Sequence, residues 1–166
     1  MHVRLLKIMF TVYIGLFALI YVLQNIANTD AAYGHIHFVL SGQGHNAYPS
    51  SIGFFTSSLL MTWITLVIIF GLELLTGIVL LKGAIDMWRS RKADAGTFHA
   101  AKKWALLGAG LGITVWFGLF ILIGGGFFNM WQTPVGGSSF NGSFQIFGAM
   151  ALCLIFLNQQ DYDIDN

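Results

Sequence analysis

Few side chains in this sequence could do chemistry, and the clearest is a carboxyl group inside an apolar run. Glu73 lies in "IIFGLELLTGIVLL", between Ile68 and Leu81, well ahead of Lys82, the nearest cation. An ionised carboxylate near the bilayer centre costs roughly 2.5 to 3.5 kcal/mol even on the lowest insertion scale. Glu73 avoids that cost if it is protonated, because it can then donate a hydrogen bond to a facing helix and accept one from Thr76 or a nearby hydroxyl. It also avoids the cost if a partner subunit or a water-filled path supplies a counter-charge.

Three histidines form the second group of reactive side chains. His35 and His37 stand two apart in "YGHIHF", so an extended chain would point both rings the same way. His45 follows in "GQGHN". Imidazoles on one loop could bind zinc or copper, but no Cys, Asp or Glu lies beside them. We therefore expect solvated or hydrogen-bonded histidines, with metal binding as the alternative.

Enzyme motifs are absent from the sequence. There is no G-x-S-x-G, no Walker loop, no H-E-x-x-H and no pair of carboxylates. No histidine falls inside an apolar span, so haem held by two histidines within the membrane is not expected. Cys153 is the one cysteine, which excludes an intramolecular disulfide. We expect no enzymatic activity, no cofactor and no nucleic-acid partner.

The elements that must position these side chains are membrane helices. The chain is 56% hydrophobic and 9% charged, whereas soluble domains are about a quarter charged. A span needs about 20 apolar residues and must be helical, because hydrocarbon cannot bond bare backbone groups. The fold class predicted is an all-α membrane protein, a four-transmembrane-helix bundle in one domain of residues 1–166. The predicted spans are about 5–23, 58–81, 104–123 and 141–157, the last only if its helix begins near Asn141.

All eight Lys and Arg residues fall on one predicted side of the membrane. Arg4 and Lys7 lie at the start of the first span, and the other six lie in a hairpin at 82–103. The loops at about 25–57 and 124–142 contain no cation. The positive-inside rule then places both termini and the hairpin in the cytoplasm and the other loops outside. In a bacterium this predicts a multi-pass protein of the inner (plasma) membrane.

The hairpin has its own local pattern. "KGAIDMWRSRK" can extend the second span beyond the bilayer, "DAG" turns the chain, and Thr97 is the predicted N-cap of the next helix. The six cations there could bind anionic lipid head groups, although setting the topology suffices to explain them. The acidic tail "QQDYDIDN" is expected to be frayed and could pair with the hairpin.

Small and polar residues mark the helix faces that should pack. Lipid tails are as apolar as leucine, so helices associate through close approach and polar contacts. Glu73, Thr65 and Thr76 form a predicted intramembrane polar seam that faces the bundle or a partner. The whole stripe in the second span is Thr62, Thr65, Ile69, Glu73, Thr76 and Gly77.

The second outer loop, "GGGFFNMWQTPVGGSSFNGSF", is rich in glycine and aromatic residues. It could be a docking surface for another protein or a lipid-like ligand, or an interfacial cap that seals the bundle. The candidate docking residues are Trp131, Phe127, Phe128, Asn129, Gln132, Phe140 and Asn141.

The chain resembles, over nearly its whole length, a bacterial family of predicted small integral membrane proteins catalogued as a domain of unknown function. The resemblance depends on "LQNIANTD", "FVLSGQ", "GLELLTGIVLLKGA" and, most specifically, "GGGFFNMWQTPVGGSSFNGSFQIF". The family pattern in the last stretch resembles G-G-E-W-F-x-M-W-Q-S, then W-N-G-Q and an F-R pair. This chain lacks the acid and the base of that pattern; it departs at Gly126, Phe127, Phe140, Ser143 and Gln145. The resemblance implies four spans and no particular activity.

The sequence therefore favours a non-enzymatic accessory or structural subunit that packs beside a larger membrane complex, such as a respiratory or dehydrogenase assembly, or forms a homo-oligomer. The lipid bilayer is its other partner. One alternative is a small oligomeric carrier or proton-linked permease that uses Glu73. Another is a periplasmic metal-binding membrane protein that uses His35, His37 and His45.

Overall fold

The computed structural model describes residues 1–48, 50 and 52–163, and within them the chain is helical with no strand. Its α-helices are α1 (His2–Ala27), α2 (Thr29–Ser41), α3 (Leu59–Arg89), α4 (Ala95–Ala101), α5 (Lys103–Ile113) and α6 (Pro134–Asn158). A π-helical segment (Thr114–Phe127) continues α5, and a short 3₁₀ turn (Met130–Gln132) precedes α6.

Four helices are long and apolar enough to cross a membrane, which confirms the predicted fold class. They are α1, α3, α6 and the helix Ala95–Phe127, which joins α4, α5 and the π segment. All four exceed the spans read from hydropathy, because each continues into polar residues at one or both ends. A 31-residue helix such as α3 extends past a hydrocarbon core of about 30 Å at a rise of about 1.5 Å per residue.

Helix α6 begins at Pro134, well before the start near Asn141 that the sequence predicts. The glycines and serines that follow Pro134 have low helix propensity, so the sequence predicts a loop up to residue 142. The start is fixed by two local features instead. The Thr133 hydroxyl accepts a hydrogen bond from the backbone N–H of Gly136, and proline occupies the first helical position, where its missing N–H costs nothing.

Helix α3 packs against α1 on one side and α5 on the other. The contact with α5 depends on glycine, because a Cβ built on Gly83 would overlap the backbone of Ala105. One built on Gly108 of α5 would lie 2.7 Å from the side chain of Leu80. The two backbones therefore approach as closely as small-residue contacts in membranes allow.

The turn between α3 and α4 is short, and its N-cap differs from the predicted Thr97. Asp94 caps α4 instead: its carboxylate accepts hydrogen bonds from the Thr97 backbone N–H (2.9 Å) and hydroxyl (2.6 Å). A carboxylate is the stronger acceptor of the two and lies before the first turn. We call this end of the bundle, with Arg4, the turn at 90–94 and the chain at 159–163, the basic end.

At the opposite end of the bundle, α2 lies within the outer loop that the sequence predicts at about 25–57. It follows α1 after Asn28 and ends at Gly42, whose φ of 69° is the left-handed conformation that glycine adopts at a helix C-terminus. The extended chain expected around His35 and His37 is wrong. Residues two apart on an α-helix point in directions about 200° apart, so the two rings face different neighbours.

Candidate functional site

Glu73 lies on the buried face of α3 and is fully buried. Its Oε2 accepts a hydrogen bond from the side-chain amide of Asn25 on α1, at 3.1 Å. The expected bond from Thr76 is wrong, because the Thr76 hydroxyl donates to the carbonyl of Leu72, at 2.7 Å. Asn25 is a site residue that sequence reasoning missed, although it is an amide close to the end of an apolar helix.

The second oxygen of Glu73, Oε1, is buried and has no hydrogen-bond partner among the described residues. No Lys or Arg in that part of the chain pairs with the carboxyl either. An unpaired buried polar oxygen costs about 1 to 3 kcal/mol. The described residues therefore supply a hydrogen-bond donor for Oε2 but none for Oε1. Oε1 needs a proton of its own, a water or a group of a partner subunit.

The polar seam continues toward α2 through Thr62. The Thr62 hydroxyl donates to the carbonyl of Ser58 at 3.0 Å and lies 3.2 Å from Nδ1 of His37. Thr62 therefore links the start of α3 to His37 of α2. The ring of Tyr33 stacks on that imidazole. The third seam residue, Thr65, is half-buried.

The three histidines contact different neighbours. Nε2 of His35 lies 3.1 Å from the hydroxyl of Ser139 on α6, and His37 bonds α3 as described. The ring of His45 packs edge-on against Phe55, with neither nitrogen bonded in the described part of the chain. Burial lowers the pKa of His35 and of His45, which favours neutral rings. No group of three potential metal ligands forms among the described residues. His37 and His35 connect α2 to α3 and α6.

The predicted docking residues divide into two sets. Phe127, Phe128 and Phe140 pack with Met130 in an apolar cluster that closes the end of the bundle, as an interfacial cap would. Asn129 takes a left-handed φ of 54° in the turn.

Trp131 and Gln132 lie nearer the surface. The exposed ring of Trp131 meets Tyr48 edge-on, and the Gln132 amide exchanges hydrogen bonds with the Tyr48 backbone. Trp131 and Gln132 therefore connect Tyr48 to the turn that precedes α6.

Two amides stand out on the exposed surface of α6. Asn141 and Gln145 are exposed, and neither side chain has a hydrogen-bond partner within the residues described. Gln145 lies four residues, about 6 Å along the helix, past Asn141, where the apolar part of α6 begins, so it lies just inside the hydrocarbon when the helix spans a bilayer. Its significance is clear only in the structure, because the sequence reading noted it merely as a departure from the family pattern.

A family model described as "Predicted small integral membrane protein (DUF2165)" matches residues 3–160. The chain belongs to this family. No curated protein and no solved structure matches it. The family description agrees with the four candidate spans and names no activity, which confirms the resemblance inferred from the sequence. The function of this family member must therefore be argued from its own residues.

The basic end of this family member holds buried charges that meet on the C-terminal chain. Asp161 accepts from Lys7 (2.8 Å) and Lys102 (2.5 Å), and both lysines also donate to the carbonyl of Gln159. Burial alone would raise the pKa of Asp161, but the hydrogen bonds and charges of Lys102 and Lys7 hold that pKa below its usual value. The expectation of a frayed tail is therefore wrong for residues 159–163. We call Lys7, Lys102, Gln159 and Asp161 the tail cluster.

Proposed function

We propose that this protein is a non-enzymatic membrane subunit that packs against another transmembrane helix through the exposed face of α6. The observation that carries this proposal is the exposed, unpaired amide of Gln145, four residues inside the apolar part of a spanning helix, with Asn141 one turn away at its start. Hydrocarbon offers an amide no hydrogen bond, so such side chains find partners on neighbouring helices. A partner helix that presents an amide or hydroxyl group would satisfy both.

The rest of the α6 surface is compatible with close approach of such a helix. A Cβ built on Gly142 or Gly148 would meet nothing within 4 Å, so these glycines are not used in packing within the chain. Helix α6 is also the span least covered by its own protein, with 17% of its apolar window buried against 28 to 33% for the others. A larger membrane assembly, respiratory or dehydrogenase-like in kind, or a second copy of the chain, would cover this face.

The proposal includes an orientation and a location. The basic end faces the cytoplasm of a bacterium, and the protein resides in the inner membrane. The support is that the cations lie in α1, the end of α3 and the following hairpin, which meet at one end of the bundle. The positive-inside rule places that end in the cytoplasm.

The test is co-purification in mild detergent from the native host, with an Asn141→Leu/Gln145→Leu double variant. Two lost interhelical hydrogen bonds of about 0.6 to 1.7 kcal/mol each predict a loss of about tenfold or more in recovered partner. Gln24→Leu is the matched control, because Gln24 is an exposed amide on α1. Unchanged recovery of the same partner with the double variant would refute the role of α6. Cross-linking in the same membranes distinguishes the two kinds of partner. If wild type forms cross-linked dimers and the double variant does not, the partner is a second copy of the chain.

The second candidate function is a small oligomeric carrier, and the buried unpaired Oε1 of Glu73 is the observation that favours it. Glu73→Gln keeps an acceptor for Asn25 and removes the titrating proton. A subunit whose role is assembly keeps its partner in this variant. A proton-linked carrier folds and inserts normally but loses pH-dependent solute flux in reconstituted vesicles. Flux that is present in wild type and absent in Glu73→Gln would favour the carrier.

A further inference from the structure

A second surface feature lies at the basic end, between α1 and α3. A groove of about 860 Å³ runs between these helices, from His2 and Arg89 at its mouth to Tyr13 further along α1. Its walls are apolar, with Leu5 and Ile85 among them. When α1 and α3 span a bilayer, the mouth lies at head-group level and the walls lie beside the acyl chains.

The cations around the mouth are only partly neutralised. Arg89 is exposed and has no partner in the described part of the chain. Arg91 lies over the ring of Trp88, a groove residue, at 4.1 Å and donates one N–H to the Trp88 carbonyl at 2.8 Å. A guanidinium carries five N–H donors, so most of the donors of Arg91 remain for a ligand. The one carboxylate on this part of α3, Asp86, is already paired with Lys82.

The mouth is also held in place from α1. The buried guanidinium of Arg4 donates to the carbonyls of Arg91 (3.1 Å) and Ala93 (2.6 Å), which fixes the turn after α3 against the first turn of α1. The backbone that carries these arginines is therefore held beside the mouth of the apolar groove. The hydrogen bonds from Arg4 use only backbone carbonyls of the turn, so the guanidinium group of Arg89 stays free to bind an anion.

We propose that this groove binds an anionic glycerophospholipid. The phosphate is bound by Arg89 and Arg91 with His2 beside it, and one acyl chain lies along the wall formed by Leu5 and Ile85. Charge complementarity selects an anionic head group over a zwitterionic one. The apolar groove selects a lipid over free phosphate, because free phosphate gains nothing from walls without hydrogen-bond donors.

The experiment is a titration of the purified full chain in detergent with palmitoyl-oleoyl phosphatidylglycerol, followed by native mass spectrometry. Phosphatidylglycerol is expected to bind about tenfold more tightly than phosphatidylcholine of the same chains. In Arg89→Gln/Arg91→Gln, that preference is expected to be lost, because about 1 kcal/mol for each arginine is enough to account for a tenfold ratio. The control is Lys92→Gln/Lys103→Gln, which removes the same charge from exposed positions outside the groove.

A second pair of variants tests the acyl-chain part of the site. Ile85→Trp fills the groove and is expected to weaken both lipids, whereas Ile78→Trp changes an equally exposed position of α3 outside it and should not. An equal loss in the arginine and lysine doubles would overturn the site, because binding would then follow net charge alone. Full displacement of the lipid by inorganic phosphate, or no effect of Ile85→Trp, would overturn the lipid as its occupant.

Discussion

The tail cluster gives the most quantitative prediction, because one carboxylate is the shared counter-ion of two fully buried lysines. Asp161→Asn keeps the shape of the side chain and removes its charge. The amide oxygen can accept from Lys7 or Lys102, and the amide nitrogen then faces the other ammonium group. Removing one partner of a buried ion pair typically costs about 3 to 5 kcal/mol, because the remaining charge stays buried. We expect a loss of this size in the free energy of unfolding.

The assay is reversible unfolding of the full chain in mixed detergent micelles, followed by circular dichroism. The matched control is Asp163→Asn, two residues further along the tail. Asp163 is exposed and accepts one hydrogen bond from the Ala95 N–H at 2.7 Å, which an amide oxygen can also accept. The control should therefore cost well under about 1 kcal/mol. A loss below about 1 kcal/mol for Asp161→Asn would refute the inference that the tail is bound.

The same cluster predicts a pH dependence with a definite sign. Because the pKa of folded Asp161 is lowered, its ion pairs stabilise the protein fully at neutral pH, which is above the unfolded value of about 3.9. That contribution falls as the pH drops through the folded pKa, so wild type loses stability in acid and Asp161→Asn loses less. Replacing all three charges, as Lys7→Met/Lys102→Met/Asp161→Leu, should recover most of the stability that Asp161→Asn loses. Failure to recover would mean that the loss in Asp161→Asn does not come from uncompensated lysine charge.

Two further predictions concern packing and topology. Gly83→Ala should destabilise the bundle by about 1 to 3 kcal/mol, because the added methyl overlaps the Ala105 backbone. Gly110→Ala, where a Cβ meets nothing within 4 Å, should be neutral, and equal unfolding curves for the two would contradict the proposed α3–α5 contact. In a background without the native cysteine, a cysteine at Ser138 should react with an impermeant thiol reagent in intact cells and one at Ser90 should not. The reverse labelling would invert the orientation.

The spans could be predicted from sequence because crossing a bilayer depends on length and hydropathy, which are local properties. Helix α2 and the first turns of α6 could not, since their glycines, serines and histidines do not form an apolar run. Both depend on contacts made elsewhere: His37 bonds Thr62 on α3, and His35 bonds Ser139 on α6. Polar residues that connect a helix to the bundle look, in a sequence, the same as polar residues of a loop.

The polar contacts were predicted least well, because each depends on which helix faces are brought together. The sequence identified Glu73 as buried but not its donor, Asn25, which is 48 positions away on another helix. It identified an acidic tail and a basic hairpin, but not that Lys7 of α1 completes the pair with Asp161. Such distances along the chain leave no pattern in hydropathy.

The distribution of satisfied and unsatisfied polar groups separates what holds this protein together from what it offers to others. The tail cluster joins α1, the start of α5 and the C-terminal chain through bonds that use nearly every buried charge at the basic end. The amides of Asn141 and Gln145 make no such bonds within the described chain, although they lie on a spanning helix. Variants of Asp161 should therefore lower stability and, while the protein stays folded, leave partner binding unchanged. Variants of Gln145 should do the opposite, and a Gln145→Leu protein that unfolds as easily as Asp161→Asn would show that α6 is a core helix with no partner face.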